Sequence, residues 1–593
     1  MRTIHLLSRL SISTLAPRGA ATLAAALLPL GAALICLVPA AGASPAAAIA
    51  STADAAAIIR DVPLPVPGQI GPDVRWPYPG ELRTPPDNPE VGDSWLWWLF
   101  IHYPMPPHFE QHLCTVRGKS DRAYVVVRDS DWNVSIDQAD VDLILERWEN
   151  SSIGPYPDQG IYEIDSTAFG IPPDELDNDP RVYLLWFDFG IAADGNFFYF
   201  DEYPEGTFPE YHSNECEVLY LNTMSQGGPS GDYMLSVIAH ELEHMIHWKY
   251  DGDEVSWVTE GLAELAMWFY GRPDEISSFN TSPDNSLTNW GGNWADYIQT
   301  YLWSLYFYER YGGHPTTYAL VHEPMNTTAG YDAVLDAYGY TENFADAFAD
   351  WVVANFLDDP TIGDGRFGYV GEELPAFSVA GTFSSYPVST LTRTVQYWAA
   401  DYYRFQNLQD LYGLQIQFNG SDSNRFAVWA LTLHASAPTE VRRMTLDALQ
   451  AGTVEVFNVA DPADQVILVV ASIFSSGTTS YTFSAGEAPA AVPEIPWIAD
   501  ATPLSLQASP NPSRAGVLFR LSGNPAPATA SLDLFDAEGR LVRALGTVSS
   551  SAGEAEILWD GRDAHGRAAA PGIYYARGRA GDRVMEQRIV RLP

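Results

Sequence analysis

The period of the apolar positions changes several times along this chain, and each change predicts a different kind of element. Ser236-Val-Ile-Ala239 opens an apolar run that Met245, Ile246 and Trp248 continue at helical spacing, which predicts a largely buried helix. Asp251-Gly-Asp253 supplies a turn, and Trp257 to Glu264 reads as a second helix crossing the first. Upstream, Tyr124-Val-Val-Val127 predicts a short strand, and Ala139 to Trp148 has helical spacing. From Ala295 to Leu357 the pattern is helical throughout. Between about Phe377 and Ser484 it becomes alternation, in Leu414-Gln-Ile-Gln-Phe418, Phe426 to Leu433, Val466 to Val470 and Tyr481-Thr-Phe483. Strands of that kind separated by turn residues predict a β-sandwich of about a hundred residues. The final stretch alternates again around Gly and Asp positions that suit hairpin turns, predicting a second, smaller sandwich.

The N-terminus has another character. Arg2, Arg9 and Arg18 precede an apolar stretch from Ala20 to Pro39, and Ala41-Gly-Ala43 is a small-residue cleavage site. This reads as a secretory signal cut after Ala43, and no later apolar run is long enough to span a bilayer. The expected division is a signal peptide (1–43), a Pro/Ala-rich leader or pro-segment (44–90) and an α+β domain (91–370). A β-sandwich (371–485), a linker (486–503) and a C-terminal sandwich (504–593) follow.

Candidate chemistry concentrates in the first buried helix, which carries His240-Glu241-Leu242-Glu243-His244. His240 and His244 stand one turn apart on one face, so both imidazoles can reach one metal ion. Glu241, angled away from that pair, can act as general base on a water the ion polarises. The third ligand expected is Glu260, with His247, Asp251, Asp253 and Glu254 as rivals; a set of two histidines and one glutamate leaves a fourth position open, as catalytic zinc requires. Glu264, one turn beyond Glu260, then faces the same way and can accept the free N–H of a ligating histidine.

HELEHMIHW followed by WVTEGLAELA resembles the gluzincin zinc metallopeptidases, most closely the hyicolysin-like neutral metallopeptidases of bacteria. Asp179 to Trp186, Tyr199 to Asp201 and Asn214 to Leu221 are similar to that family's strands before the zinc helix. Ala295 to Gly313 and Phe348 to Asn355 are similar to its helical half. The resemblance implies a multidomain protein whose residues 91–370 form an α+β zincin-type domain: a small sheet plus active-site helix, then an α-rich half closing a cleft. It implies hydrolysis of peptide bonds on Zn2+. Tyr297, early in a later helix, is similar in position to the catalytic tyrosine that donates to the oxyanion in aminopeptidase-type gluzincins, with a core aromatic as the alternative. Val218 to Thr223 is the candidate edge strand for substrate backbone, with an interior strand as the alternative. Ser509 to Pro512, Leu532 to Asp536, Trp559 to Asp563 and Gly572 to Tyr574 resemble the Ig-like domain of flagellar hook-capping proteins. The same layout is similar to sorting domains of the type IX secretion route, implying contact with secretion machinery or the cell surface.

Charge narrows the partners. With 75 acidic and 32 basic residues the net charge is −43, which argues against nucleic acid or an anionic membrane. It suits an exported enzyme acting on polypeptides outside a bacterial cell or at its surface. Asp251 to Glu254 and Asp358-Asp359 offer oxygen ligands for Ca2+, with solvated acidic surface as the alternative. Two cysteines follow the signal, Cys114 and Cys216, and in an oxidising compartment they are either a disulfide or two buried thiols. The competing functional class is a surface adhesin with a silent metal site; an intact Glu241 favours the endopeptidase.

Overall fold

The computed structural model describes residues 86–102, 106–474, 476–489, 505–522, 530–537, 539–548, 554–580 and 583–593. The expected signal peptide, the leader as far as residue 85 and all of the expected linker beyond residue 489 lie outside these residues.

Six strands form the first sheet: β1 (Ser94–Ile101), β2 (His108–Lys119), β3 (Ala123–Arg128), β4 (Val182–Phe187), β5 (Gly195–Phe197) and β6 (Val218–Asn222), in the order β1-β2-β3-β4-β6-β5. The first three pair antiparallel, β3–β4 and β4–β6 pair parallel, and β5 returns antiparallel along β6. A parallel step needs a crossover; between β3 and β4 it contains α1 (Gln138–Glu149) and α2 (Ile161–Ala168). Asp137 starts α1 with a capping box to Asp140. Both faces of the sheet are covered. Val125, Val127, Leu184, Trp186, Leu219 and Leu221 face the helices, while Tyr124, Val126, Tyr183, Leu185, Val218 and Tyr220 face an aromatic layer from the first strands. Strands buried on two faces read as continuous apolar runs, as Val182–Phe187 does.

One expectation is corrected here, and one open alternative is decided. β6 is an interior strand flanked by β4 and β5, so Val218 to Thr223 is not the edge; the outermost strand beside the helix that carries His240 and His244 is β5. Three residues containing a glycine carry no alternation for sequence reading to find. Cys114 and Cys216 are free thiols, both buried in the aromatic layer, so of the two alternatives the structure holds the thiol pair. Burial pushes both thiols upward, out of the reactive range.

α3 (Asp232–Asp251) and α4 (Ser256–Tyr270) follow the sheet, then α5 (Trp294–Arg310), α6 (His314–Val321), α7 (Thr328–Ala337) and α8 (Phe344–Leu357). α3 is apolar around most of its circumference because it packs against β5, β6, α2 and α4. α4 crosses α5 at Gly261, where an added Cβ would lie 2.6 Å from Ser304 Oγ and 2.9 Å from the Thr300 carbonyl.

The second β unit holds β7 (Gly381–Phe383), β8 (Val388–Gln396), β9 (Ala399–Phe405), β10 (Gly413–Gly420), β11 (Phe426–Leu433), β12 (Glu440–Arg443), β13 (Ala451–Phe457), β14 (Gln465–Ser472) and β15 (Thr478–Glu487). Sheets β13-β10-β15-β8 and β12-β11-β14-β9-β7 enclose a core of their own. Along β14, Val466, Leu468 and Val470 point into that core, while Ile467, Val469 and Ala471 join the core of the helical half. The junction is closed by Tyr402 Oη, which donates to the Val352 carbonyl of α8 at 2.7 Å.

The last unit pairs β16 (Ser505–Ser509), β17 (Val517–Ser522) and β20 (Glu554–Trp559) in one sheet. The other contains β18 (Ala530–Asp536), β19 (Leu541–Val548), β21 (Gly572–Ala580) and β22 (Arg583–Arg591). Phe519, Leu532, Leu534, Trp559 and Ile589 fill the space between. Among the described residues, no helix is long and apolar enough to cross a membrane.

Candidate metal centre

α3 carries His240 and His244 one turn apart, and their Nε2 atoms face each other at 3.1 Å. Glu260, on the second turn of α4, brings Oε2 to 3.6 Å from His240 Nε2 and 3.7 Å from His244 Nε2. Among the described residues this is the one trio of His, Cys, Asp or Glu side chains whose donor atoms gather within 4.8 Å of one another. Ligands held at about 2.0–2.1 Å around a tetrahedral zinc ion stand about 3.3 Å apart. Two imidazole nitrogens and one carboxylate oxygen at these separations suit that ion, and three protein ligands leave a fourth position open.

The far sides of the imidazoles also meet carboxylates. Glu264 Oε1 lies 3.5 Å from His240 Nδ1, both side chains fully buried. Glu243 Oε2 lies 3.6 Å from His244 Nδ1. Helix spacing brought Glu264 to notice; Glu243 was missed because a neighbour in sequence does not share a helix face with His244.

Glu241 is fully buried and abuts the edge strand. A Cβ at Gly195 of β5 would stand 2.7 Å from Glu241 Oε1, so only glycine lets this carboxylate and the strand approach so closely. That glycine sits in Asp194-Gly195-Asn196, which reads as a turn and hides its contact with the motif.

The rival ligands are engaged elsewhere. His247 Nδ1 hydrogen-bonds Glu243 Oε1 at 2.9 Å. Glu254 accepts the amides of Val255 and Thr327, fixing the turn between α3 and α4. Asp251, buried at the end of α3, is pushed up to about 7 chiefly by desolvation. Asp358 accepts the amides of Tyr369 and Leu374, and Asp359 that of Thr361.

Tyr297 occupies the first turn of α5, where Asn293 and Asp296 form a capping box. Asp296 also receives the Gly291 amide and the side-chain amides of Asn285 and Asn293, pinning the helix start. Tyr297 shares with Thr300 and Ser304 the face of α5 that meets α4 at Gly261, next to Glu260, and its ring stands edge-on to Trp290. Tyr301, one turn on, instead donates to Glu372 at 2.5 Å, and Trp303, Tyr306 and Phe307 are core.

Residues 514–580 match the FlgD Ig-like domain family, and this match covers the C-terminal unit alone. No curated protein matches the chain. Among solved structures, PorZ, a bacterial surface component of the type-IX secretion system of Porphyromonas gingivalis, is 24% identical over 15% of this chain and 11% of its own, with a TM-score of 0.12. Dimeric latent PorU from Porphyromonas gingivalis is 18% identical over 36% of this chain and 19% of its own, at a TM-score of 0.14. A β-glucuronidase from Bifidobacterium dentium is 10% identical over 35% of this chain and 40% of its own, also at 0.14. This chain therefore spans well under two thirds of each, and likeness at that level assigns no fold to the whole.

Proposed function

We propose that the protein is an exported zinc-dependent endopeptidase of the gluzincin kind, similar to the hyicolysin-like metallopeptidases and built on a zincin-type scaffold. The observation that carries the reading is the convergence of His240, His244 and Glu260 beside a buried Glu241 that abuts the edge strand. His240 Nε2, His244 Nε2 and Glu260 Oε2 would hold the ion. When bound, zinc supplies Lewis acidity that activates water and polarises the scissile carbonyl. Glu241 takes the proton of the attacking water and returns it to the leaving amine. β5 offers an outer strand edge along which an extended peptide can add, placing its backbone across Glu241. Tyr297 donates a hydrogen bond to the developing oxyanion from the start of α5. The FlgD Ig-like unit then serves surface retention or contact with the export machinery.

Chelation followed by metal return tests this reading. Unfolded casein should be cut internally by the untreated protein, left intact after chelation, and cut again after zinc is restored. Protein that takes up zinc yet leaves casein and other unfolded substrates intact would instead be a surface binding protein with a silent metal site.

A further inference from the structure

Glu243 is fully buried on α3, where an isolated carboxylate is costly. Its two oxygens are divided between two rings: Oε1 hydrogen-bonds His247 Nδ1 at 2.9 Å, and Oε2 stands 3.6 Å from His244 Nδ1. Asp165 of α2, also fully buried, lies near enough for Glu243 to push its carboxyl upward, in addition to the larger effect of burial. The reach from Glu243 to His244 matches the 3.5 Å from Glu264 to His240, so both imidazoles of the trio meet a carboxylate behind them. A ligating imidazole needs its second nitrogen held, because that partner sets the tautomer and the ring orientation.

We propose that Glu243 is a positioning residue for the metal centre. Locked on one side by His247, it keeps the proton of His244 on Nδ1 and turns Nε2 toward His240 and Glu260. This inference rests on the zinc reading above. Glu243 does not touch the reacting atoms; it acts through His244.

The test is zinc affinity, measured on the full chain by competition with a chromogenic chelator at a temperature where every variant is folded. The melting temperature of each zinc-free chain is recorded beside it. Glu243→Gln offers one acceptor to two N–H groups, and its zinc Kd should rise about 10- to 100-fold. Glu243→Leu should bind at least as weakly. His247→Leu leaves the carboxylate beside His244 and should weaken zinc less than either. If Glu243→Gln lowers the melting temperature while its zinc Kd stays within about twofold of wild type, Glu243 is only an anchor for His247 and the proposal is overturned. Should Glu243→Gln not fold, Glu243→Asp, one methylene shorter, decides on the same scale. A wild-type chain that binds no zinc overturns this inference and the peptidase reading together. Zinc bound by wild type, weakened in Glu243→Gln, with no substrate cleaved, sinks the peptidase reading and leaves this one standing.

Discussion

At the scale of single residues, the metal centre depends on which atoms each side chain presents. Glu264→Gln should weaken zinc about 10- to 100-fold, read by chelator competition, because His240 Nδ1 loses a charged partner. Tyr297→Phe should lower kcat on casein by about 10²–10³ with little change in KM, as loss of an oxyanion donor does; an unchanged kcat would remove Tyr297 from the mechanism. Titration behaviour follows from burial. Asp201, which accepts the Asn214 amide and Tyr220 Oη, is pushed up to about 8, chiefly by desolvation. A carboxyl raised above its unfolded value holds its proton longer when folded. Its contribution to stability is therefore complete below about pH 4 and lost as pH rises through 8. The melting temperature should fall between pH 5 and pH 9, and Asp201→Asn should flatten that slope.

At the scale of elements, legibility in the sequence follows length and period. α3 could be read because a twenty-residue helix with apolar residues around most of its circumference is hard to mistake, and His240 and His244 mark its face. Glu260 followed from the turn at Asp251 to Asp253. β5 could not be read, since Gly195–Phe197 is too short for alternation, whereas the apolar residues on both faces of β6 are those of the interior strand it proves to be. Glu243 lay in plain view within the motif, yet its partner in sequence order is not its neighbour on the helix. The cysteines were undecided because a sequence does not give their separation; as free buried thiols they should leave the melting temperature unchanged when a reductant is added. A reductant that destabilises the chain would contradict that pairing state.

At the scale of the whole molecule, the units are joined to different degrees. The FlgD Ig-like unit fills its core from its own strands. β14 and β11 instead lend one face to the helical half, through Ile467, Val469, Trp429 and Leu431. A chain ending at Pro489 should therefore keep its melting temperature. One ending before Phe377 uncovers several large apolar side chains, worth about 1.5–3 kcal/mol each, and should aggregate. The net charge of −43 disfavours association with other polyanions. Residues 232–264 are proposed to build a working zinc centre with Glu241 as its base. The most direct test of that proposal is Glu241→Gln against wild type, recording zinc per chain and kcat on unfolded casein. Both proteins should hold one zinc per chain, and kcat should be lower by about 10²–10⁴ in the variant. Equal turnover by the two proteins would contradict it.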